Sequence, residues 1–562
     1  IAAIDIARSL NPNLKVEHIR RLLYKLTEEG FLIYDQENEY VHVREKTFKY
    51  VAAHAANFNV RFADKVDFDA IRLISNNGKS ANSKMNLISN NMKLAGVRKV
   101  YLSDSQNVVI HPERGSEITL KSRRDFEFLG KIEAGYLELF GSGFYFTYDN
   151  FLINMAKVDS FRLLLPNPNY DPRMARNPHA NPLQKMKLRP IETTVNNMVA
   201  ILRIDDPLNK SGLRKQQFST YPELESLDYS YAYYDKKTIH DGVYKRDKPF
   251  YFRLDTFVLD SINNLQPEGI TFGGTIVSAN IFPDFQEILR FRDHDWSLGF
   301  VHETPDTGYP TYNRMGAGKG TFYDTIDLSN QGLRAKGMIE YIASESYSKN
   351  VIFYPDSAYA NTDSFVVHKG DYNGASFPKV EADSVLTFWK PYKDTMYIQT
   401  RGEPFIMYDG EAEFRGKLMV TPWGLYGDGK MKIMEATMTS KSFRLNADDF
   451  GSKNMVLEMR SRDPKYLALA AINLKGNIDM LNRTAEYNSN DKEAYHQMPY
   501  TQYTTNMDNI KWGMDEHEVQ LASTKDVKKS WYRSVHKKQD SLDFNATGGY
   551  WYLDSARNTL LC

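Results

Sequence analysis

Five side chains able to hold a divalent metal or move protons crowd into "FRDHDWSLGFVHETPD" (291–306): Asp293, His294, Asp295, His302 and Glu303. Carboxylate oxygens mixed with imidazole nitrogens suit a first-row transition metal. Strand geometry works against convergence, because Asp293 and Asp295 share one face while His294 takes the other. A metal at this site needs ligands from elsewhere in the chain, and the competing reading is a solvated turn. His240 and Asp241 in "TIHDG" also read as a turn.

Other chemistries fail on spacing. "NRMGAGKGTF" (313–322) carries Gly318, Lys319 and Thr321 in the manner of a nucleoside-triphosphate loop. Asn313 stands where the first glycine is required, however, and Gly320 takes the hydroxyl position. "YDTIDLSN" then reads as strand and turn, not as the helix whose N-terminus must face the phosphates. A flexible hairpin tip fits better. The sequence holds no G-x-S-x-G elbow, no H-E-x-x-H motif and no cysteine nucleophile. Asp205–Asp206 and Asp448–Asp449 are adjacent acids that glycan-cleaving chemistry would need at a defined separation, but such pairs are also ordinary loop residues. We therefore assign no catalytic residue, no cofactor and no enzymatic activity. A polysaccharide lyase or hydrolase is the enzymatic alternative.

The elements that would position any site are strands. Over 562 residues there are 36 Tyr, 31 Phe, 33 Gly and 22 Pro, the profile of a large β protein with many turns. Lys+Arg and Asp+Glu both number 71, so no global field attracts nucleic acid. The lone cysteine, Cys562, permits neither an internal disulfide nor a thiolate metal cage. Mean hydropathy is −0.53, and no apolar run spans a bilayer as a helix. The chain starts at Ile1 without a leader and stops in strand-like sequence, which reads as a fragment of a longer protein.

Residues 1–60 form the helical part. "LKVEHIRRLLYKLTEEGFLIYDQENEYVHV" spaces Ile19, Leu22, Leu23 and Leu26 as a helix, stops at Gly30 and continues into two strands, a winged-helix-like outline. Arg20, Arg21 and Lys25 are few, and the "YDQENEY" wing is acidic, so a cap is expected and not a DNA reader. From 61 to 165 and from 251 to 500 the pattern is strand, Gly, strand. It recurs in "DFEFLGKIEAG" (125–135), "GITFGGTIVSA" (269–279), "GLRAKGMIEYIAS" (332–344) and "AEFRGKLMVTPWGLYGDG" (412–429). Units that cannot bury an apolar face alone must stack. The expected fold is thus mainly β: an elongated parallel β-solenoid-like array of Gly-punctuated strands, with antiparallel sandwiches or a curved groove as alternatives. Phe128, Phe146, Phe272, Phe353, Phe414 and Phe443 are its expected core. Residues 166–250, rich in Pro, Asn and Tyr, read as an insert, and 501–562 as the start of a further β unit.

Asp-Ser/Thr-apolar tripeptides place hydroxyls at Ser261, Thr325, Ser357, Ser384, Thr395, Ser541 and Ser555. They resemble the O-glycosylation motif of exported Bacteroidetes proteins, and Asp-Ser is equally ordinary turn chemistry. The phrases "VYLSDSQNVVIHP", "DDPLNKSGL", "HDWSLGFVHETPDTGYPTY" and "VTPWGLYGDG" together resemble a family of very large exported Bacteroidetes proteins. That resemblance implies a cell-envelope location, in the periplasm or at the outer membrane and cell surface, and other envelope proteins as partners. It brings no catalytic or binding residue with it. The expected function is a structural or interaction scaffold. A β-groove conduit for lipid is the alternative, since "LMVTPWGLYGDGKMKIMEATMTSKSF" also resembles the Gly-punctuated repeats of lipid-transfer envelope proteins. A glycan-binding or glycan-cleaving β protein is the third reading.

Overall fold

The computed structural model describes the chain except for residues 56–70, 76–81, 103–105, 114, 116, 122–123, 175, 177–180, 211, 213–215, 315, 317, 462–465, 492, 494, 540–541, 554–556 and 562. The protein is mainly β and divides into two compact units. One comprises Ile1–Tyr233, Tyr251–Thr275 and Gln286–Leu298; the other comprises Tyr234–Phe250, Ile276–Phe285 and Gly299–Cys562.

The first unit begins with helices Ala3–Leu10 and Val16–Glu28 and the hairpin Leu32–Asp35/Tyr40–Val43, followed by helix Glu45–Ala55. Ala7, Ile19, Leu23, Leu32 and Val41 share a small core there. The cationic residues are partly spent inside this segment, Arg20 on Glu39 and Lys25 on Glu29. The rest of the unit is an antiparallel sheet in which one inward row runs Leu120, Phe126, Phe146, Ile153, Leu202, Leu224 and Leu259. Within the stretch expected as an insert, Val195–Arg203 is a long strand of this sheet, paired with Leu152–Pro166.

The second unit repeats the plan at greater length. From Phe300, cross-strand partners follow one another as Leu328, Leu333, Phe353, Ala358, Trp389, Met396, Val420, Leu425, Leu445, Phe450, Ile478, Ala485, Trp512, Val519 and Trp551. Every member is buried. A second inward row, including Tyr341, Val367, Val380, Met407, Ala412, Ile433, Ala436 and Met459, lies on the other half of the strands. The halves meet: the rings of Tyr341 and Trp389 are 5.2 Å apart, and the Tyr487 hydroxyl lies 3.4 Å from the Met438 sulfur. All six phenylalanines expected in the core are buried.

The parallel solenoid is corrected by the pairing, which is antiparallel between successive strands. The reason is where the chain turns. Ala412–Thr421 continues through Gly416, and Gly424–Ile433 continues through Gly427 and Gly429. The reversals are two-residue links at Pro422-Trp423 and Met434-Glu435, and links that short join only antiparallel strands. The repeated glycine marks a bend inside a strand. Gly416 faces Gly429, Gly429 faces Ser440, the Ser440 and Ser452 hydroxyls are 2.9 Å apart, and Ser452 faces Gly476. Register slips beside this line, so inward parity changes from Ala436, Met438 and Ser440 to Phe443 and Leu445. Both halves of Ala436–Leu445 thereby keep apolar residues inside. The serines accept and donate where the slip frees backbone groups: Ser440 Oγ donates to the Asn454 carbonyl at 2.7 Å and accepts from Ser442 N at 3.1 Å.

Gly416 has φ +151°, and a Cβ there would overlap the carbonyl oxygen of Asp428. Gly416→Ala is expected to destabilise the second unit by about 3 kcal/mol. Gly402→Ala, in open space at an ordinary φ, is expected to change nothing. Denaturant unfolding followed by tryptophan fluorescence checks both.

Candidate functional site

Asp293–Asp295 belong to the first unit, and His302 and Glu303 to the second. Asp293 and His294 are exposed. Asp295 accepts from Ser297 Oγ at 2.5 Å and lies 3.7 Å from His294 Nε2. His302 stacks on Phe285 with ring centroids 4.0 Å apart and bonds the Tyr309 hydroxyl at 3.0 Å. Glu303 is exposed on its strand. Among the described residues, no group of three His, Cys, Asp or Glu side chains is placed to hold a metal ion.

The triphosphate-like stretch has no helix after it: Gly320 opens the strand Gly320–Ser329, and Lys319 pairs with Asp394 at 2.7 Å. His240–Gly242 is a short 3-10 turn, with His240 Nε2 2.9 Å from the Gln331 carbonyl oxygen. Of the hydroxyls in Asp-Ser/Thr-apolar motifs, Ser384 is exposed, whereas Ser261, Thr325, Ser357 and Thr395 are half-buried. Thr325 sits mid-strand and donates to Asp324 at 2.6 Å. Ser541 and Ser555 lie outside the described residues.

Neither acidic pair is an acid–base couple. Asp205 is 1% exposed and accepts from Gln106 Nε2 at 2.8 Å, from Asn209 Nδ2 at 3.0 and 3.1 Å, and from Asp206 N at 2.8 Å. Asn263 Nδ2 donates in turn to Gln106 Oε1 at 3.3 Å. Two neutral side-chain amides, Gln106 and Asn209, thus clamp the carboxylate, and Asn263 supports Gln106 from behind. Burial pushes the Asp205 pKa up, against the lowering effect of those bonds. Asp206 caps Leu208 N instead, Asp448 pairs with Lys369, and Asp449 accepts from Asn446.

The second unit carries its recesses outside this candidate list. Near its last described strands, Met498, Leu521, Tyr532, Phe544, Tyr550 and Trp551 line a mainly apolar pocket of about 410 Å³. Burial pushes the Tyr532 phenol up to about 12. On the outward sheet surface, Tyr359, Phe388, Lys390, Tyr397 and Lys417 line an open cleft of about 470 Å³. Sequence reasoning missed both, because their residues are brought together by strand register; the only local hint is the aromatic run "GGYWY" at 548–552. No known protein family, curated protein or solved structure matches the chain.

Beside the apolar pocket, His496 is fully buried. Desolvation, helped by the Lys525 ammonium and opposed by Asp508 and the Met507 backbone, lowers its pKa to about 4. The folded chain therefore binds fewer protons at this ring than the unfolded chain does, and acid favours opening. The His496 contribution is complete above the ordinary value near 6.5 and is lost as pH falls towards 4, a change of about 3 kcal/mol. The protection factors of the amides in His496–Met498 and Tyr503–Thr505, which correct for the intrinsic rate, are expected to fall between pH 7 and 4.5. His496→Leu is expected to remove that fall.

Proposed function

We propose that the chain is a non-catalytic scaffold of a bacterial cell envelope, presenting the outward faces of its sheets to neighbouring envelope proteins. The supporting observation is the unbroken inward row from Phe300 to Trp551, buried at every strand. Side chains of one half-strand fill against those of the other, so along most of its strands the apolar interior meets protein. Such a core fixes strand order and leaves the outward residues free to vary for recognition. Among the described residues no helix is long and apolar enough to cross a membrane. The envelope location rests on the sequence resemblance, as does modification of accessible hydroxyls such as Ser384. Crosslinking with mass spectrometry on intact cells of the source organism tests the reading. The chain is expected in the envelope fraction with crosslinks from outward lysines to envelope proteins; recovery in the soluble cytoplasm would overturn it.

The apolar pocket favours a second reading, the accommodation of an amphiphile's hydrocarbon part at one end of the second unit. Its volume of about 410 Å³ is in the range of small-ligand sites. A fluorescent fatty acid is expected to bind near one equivalent, and Phe544→Asp to weaken it about tenfold or more by placing a charge in the apolar wall. Fluorescence titration reads both.

A further inference from the structure

One outward row of the second unit breaks the rule that the solvent face of an antiparallel sheet is polar. Directly beside the buried row, cross-strand partners run Ile352, Tyr359, Phe388, Tyr397, Met419 and Tyr426. None of the six is buried, and Phe388 is 36% exposed. The row ends in arginine on both sides, Arg334 opposite Ile352 and Arg444 opposite Tyr426. Beyond Arg444 it becomes Gly451, Asn477, Glu486 and Lys511. The apolar character is therefore confined to consecutive strands and is not a general feature of this face.

Two lysines turn the row into a recognition surface. Lys390 Nζ lies 5.0 Å from the Phe388 ring centroid and 5.8 Å from that of Tyr397, and Lys417 Nζ lies 5.4 Å from the Tyr397 centroid. Among the described residues neither lysine is held in an ion pair, although Asp428 stands opposite Lys417 in the register. Both line the 470 Å³ cleft, which has no acidic residue among its described lining. A second open cleft, about 590 Å³, continues from Tyr426 and Arg444 to Lys453 and Lys475. It adds Asn477 and Asn488, amides suited to hydroxyl groups, and three cations, Arg444, Lys453 and Lys475, outnumber its two acids, Asp449 and Glu486.

We infer that this row binds a linear acidic polysaccharide lying across the strands. Aromatic faces at strand spacing, about 4.8 Å apart, offer successive platforms to the C–H faces of sugar rings. The lysines and arginines meet ring carboxylates, and the amides meet hydroxyls. The width selects against a membrane or a broad protein patch. The row is one side chain across, and the next outward row is Asn361, Leu386, Gln399 and Lys417.

Affinity electrophoresis of the full chain through gels containing polygalacturonate or alginate tests the proposal, with dextran gels and phosphatidylglycerol vesicles as comparisons. Retardation is expected in at least one polyuronate, weakening as salt rises, and none is expected in dextran. Phe388→Ala/Tyr397→Ala and Lys390→Glu/Lys417→Glu are each expected to weaken retention about tenfold or more while remaining folded at the assay temperature by circular dichroism, since these side chains lie outside the core. Lys511→Glu, on the same face beyond the row, is expected to show wild-type retardation when each variant's mobility is taken relative to its own in a polysaccharide-free gel. Absence of retardation in both polyuronates would overturn the inference. So would retention indifferent to the Phe388/Tyr397 pair, equal retention in dextran, or vesicle binding that depends on the same residues without polyuronate binding.

Discussion

The fold depends on keeping an apolar row in register along strands that a line of small residues crosses at mid-length. Side-chain direction alternates with each residue, so a register shift exchanges the inward and outward sets. Ala412–Thr421 and Gly424–Ile433 keep one inward parity through Gly416 and Gly429, whereas Ala436–Leu445, Asp449–Arg460 and Leu467–Asp479 exchange it near Ser440, Ser452 and Gly476. Glycine supplies the backbone conformation and the absence of a Cβ, and the serine hydroxyls take up backbone groups released by the slip. The same device appears in the first unit, where Gly130, φ +141°, faces Gly141 in the bend of the Phe126–Ala134 and Leu137–Thr147 pair. There too a Cβ would overlap backbone, the carbonyl oxygen of His111.

This device explains how far the fold was legible from sequence. Alternation of apolar residues identified strands and core, down to individual phenylalanines such as Phe146 and Phe414. Glycine misled, because glycine in β-rich sequence ordinarily marks the reversal. The reversals at Met434-Glu435 and Ile342-Ala343 carry little turn signature, and Ile342 and Met434 are held at positive φ by the sheet on either side. Tertiary pairing overrode local preference at those positions, and the topology changed from parallel stack to antiparallel meander. The helical start was readable because helix periodicity and the stop at Gly30 are local signals.

Candidate sites followed the same division between local and assembled information. Asp293, His294, Asp295, His302 and Glu303 are neighbours in sequence, and strand geometry separates neighbours. Asp205 looked like half of an acidic pair, yet its environment is made by Gln106 and Asn209 and through them Asn263, residues that no spacing rule links. The outward aromatic row is the clearest instance. Tyr359, Phe388, Tyr397 and Tyr426 look unremarkable singly, since an aromatic residue in a strand is ordinarily core. Only the register shows that they share a row facing solvent.

The two adjacent rows assign opposite duties to neighbouring residues on the same strands. Trp389 and Met396 fill the interior while Phe388 and Tyr397, one position away, face outward. Outward rings can therefore be exchanged without opening a cavity, and inward rings cannot. This separation lets the solvent face specialise over a few strands, between Arg334 and Arg444, while the buried row continues unchanged from Phe300 to Trp551. A continuous interior carrying a local exterior exception separates what stabilises the sheet from what its surface can contact. Stability is spread over every strand, whereas the aromatic rings and lysines of the outward row occupy only a few of them.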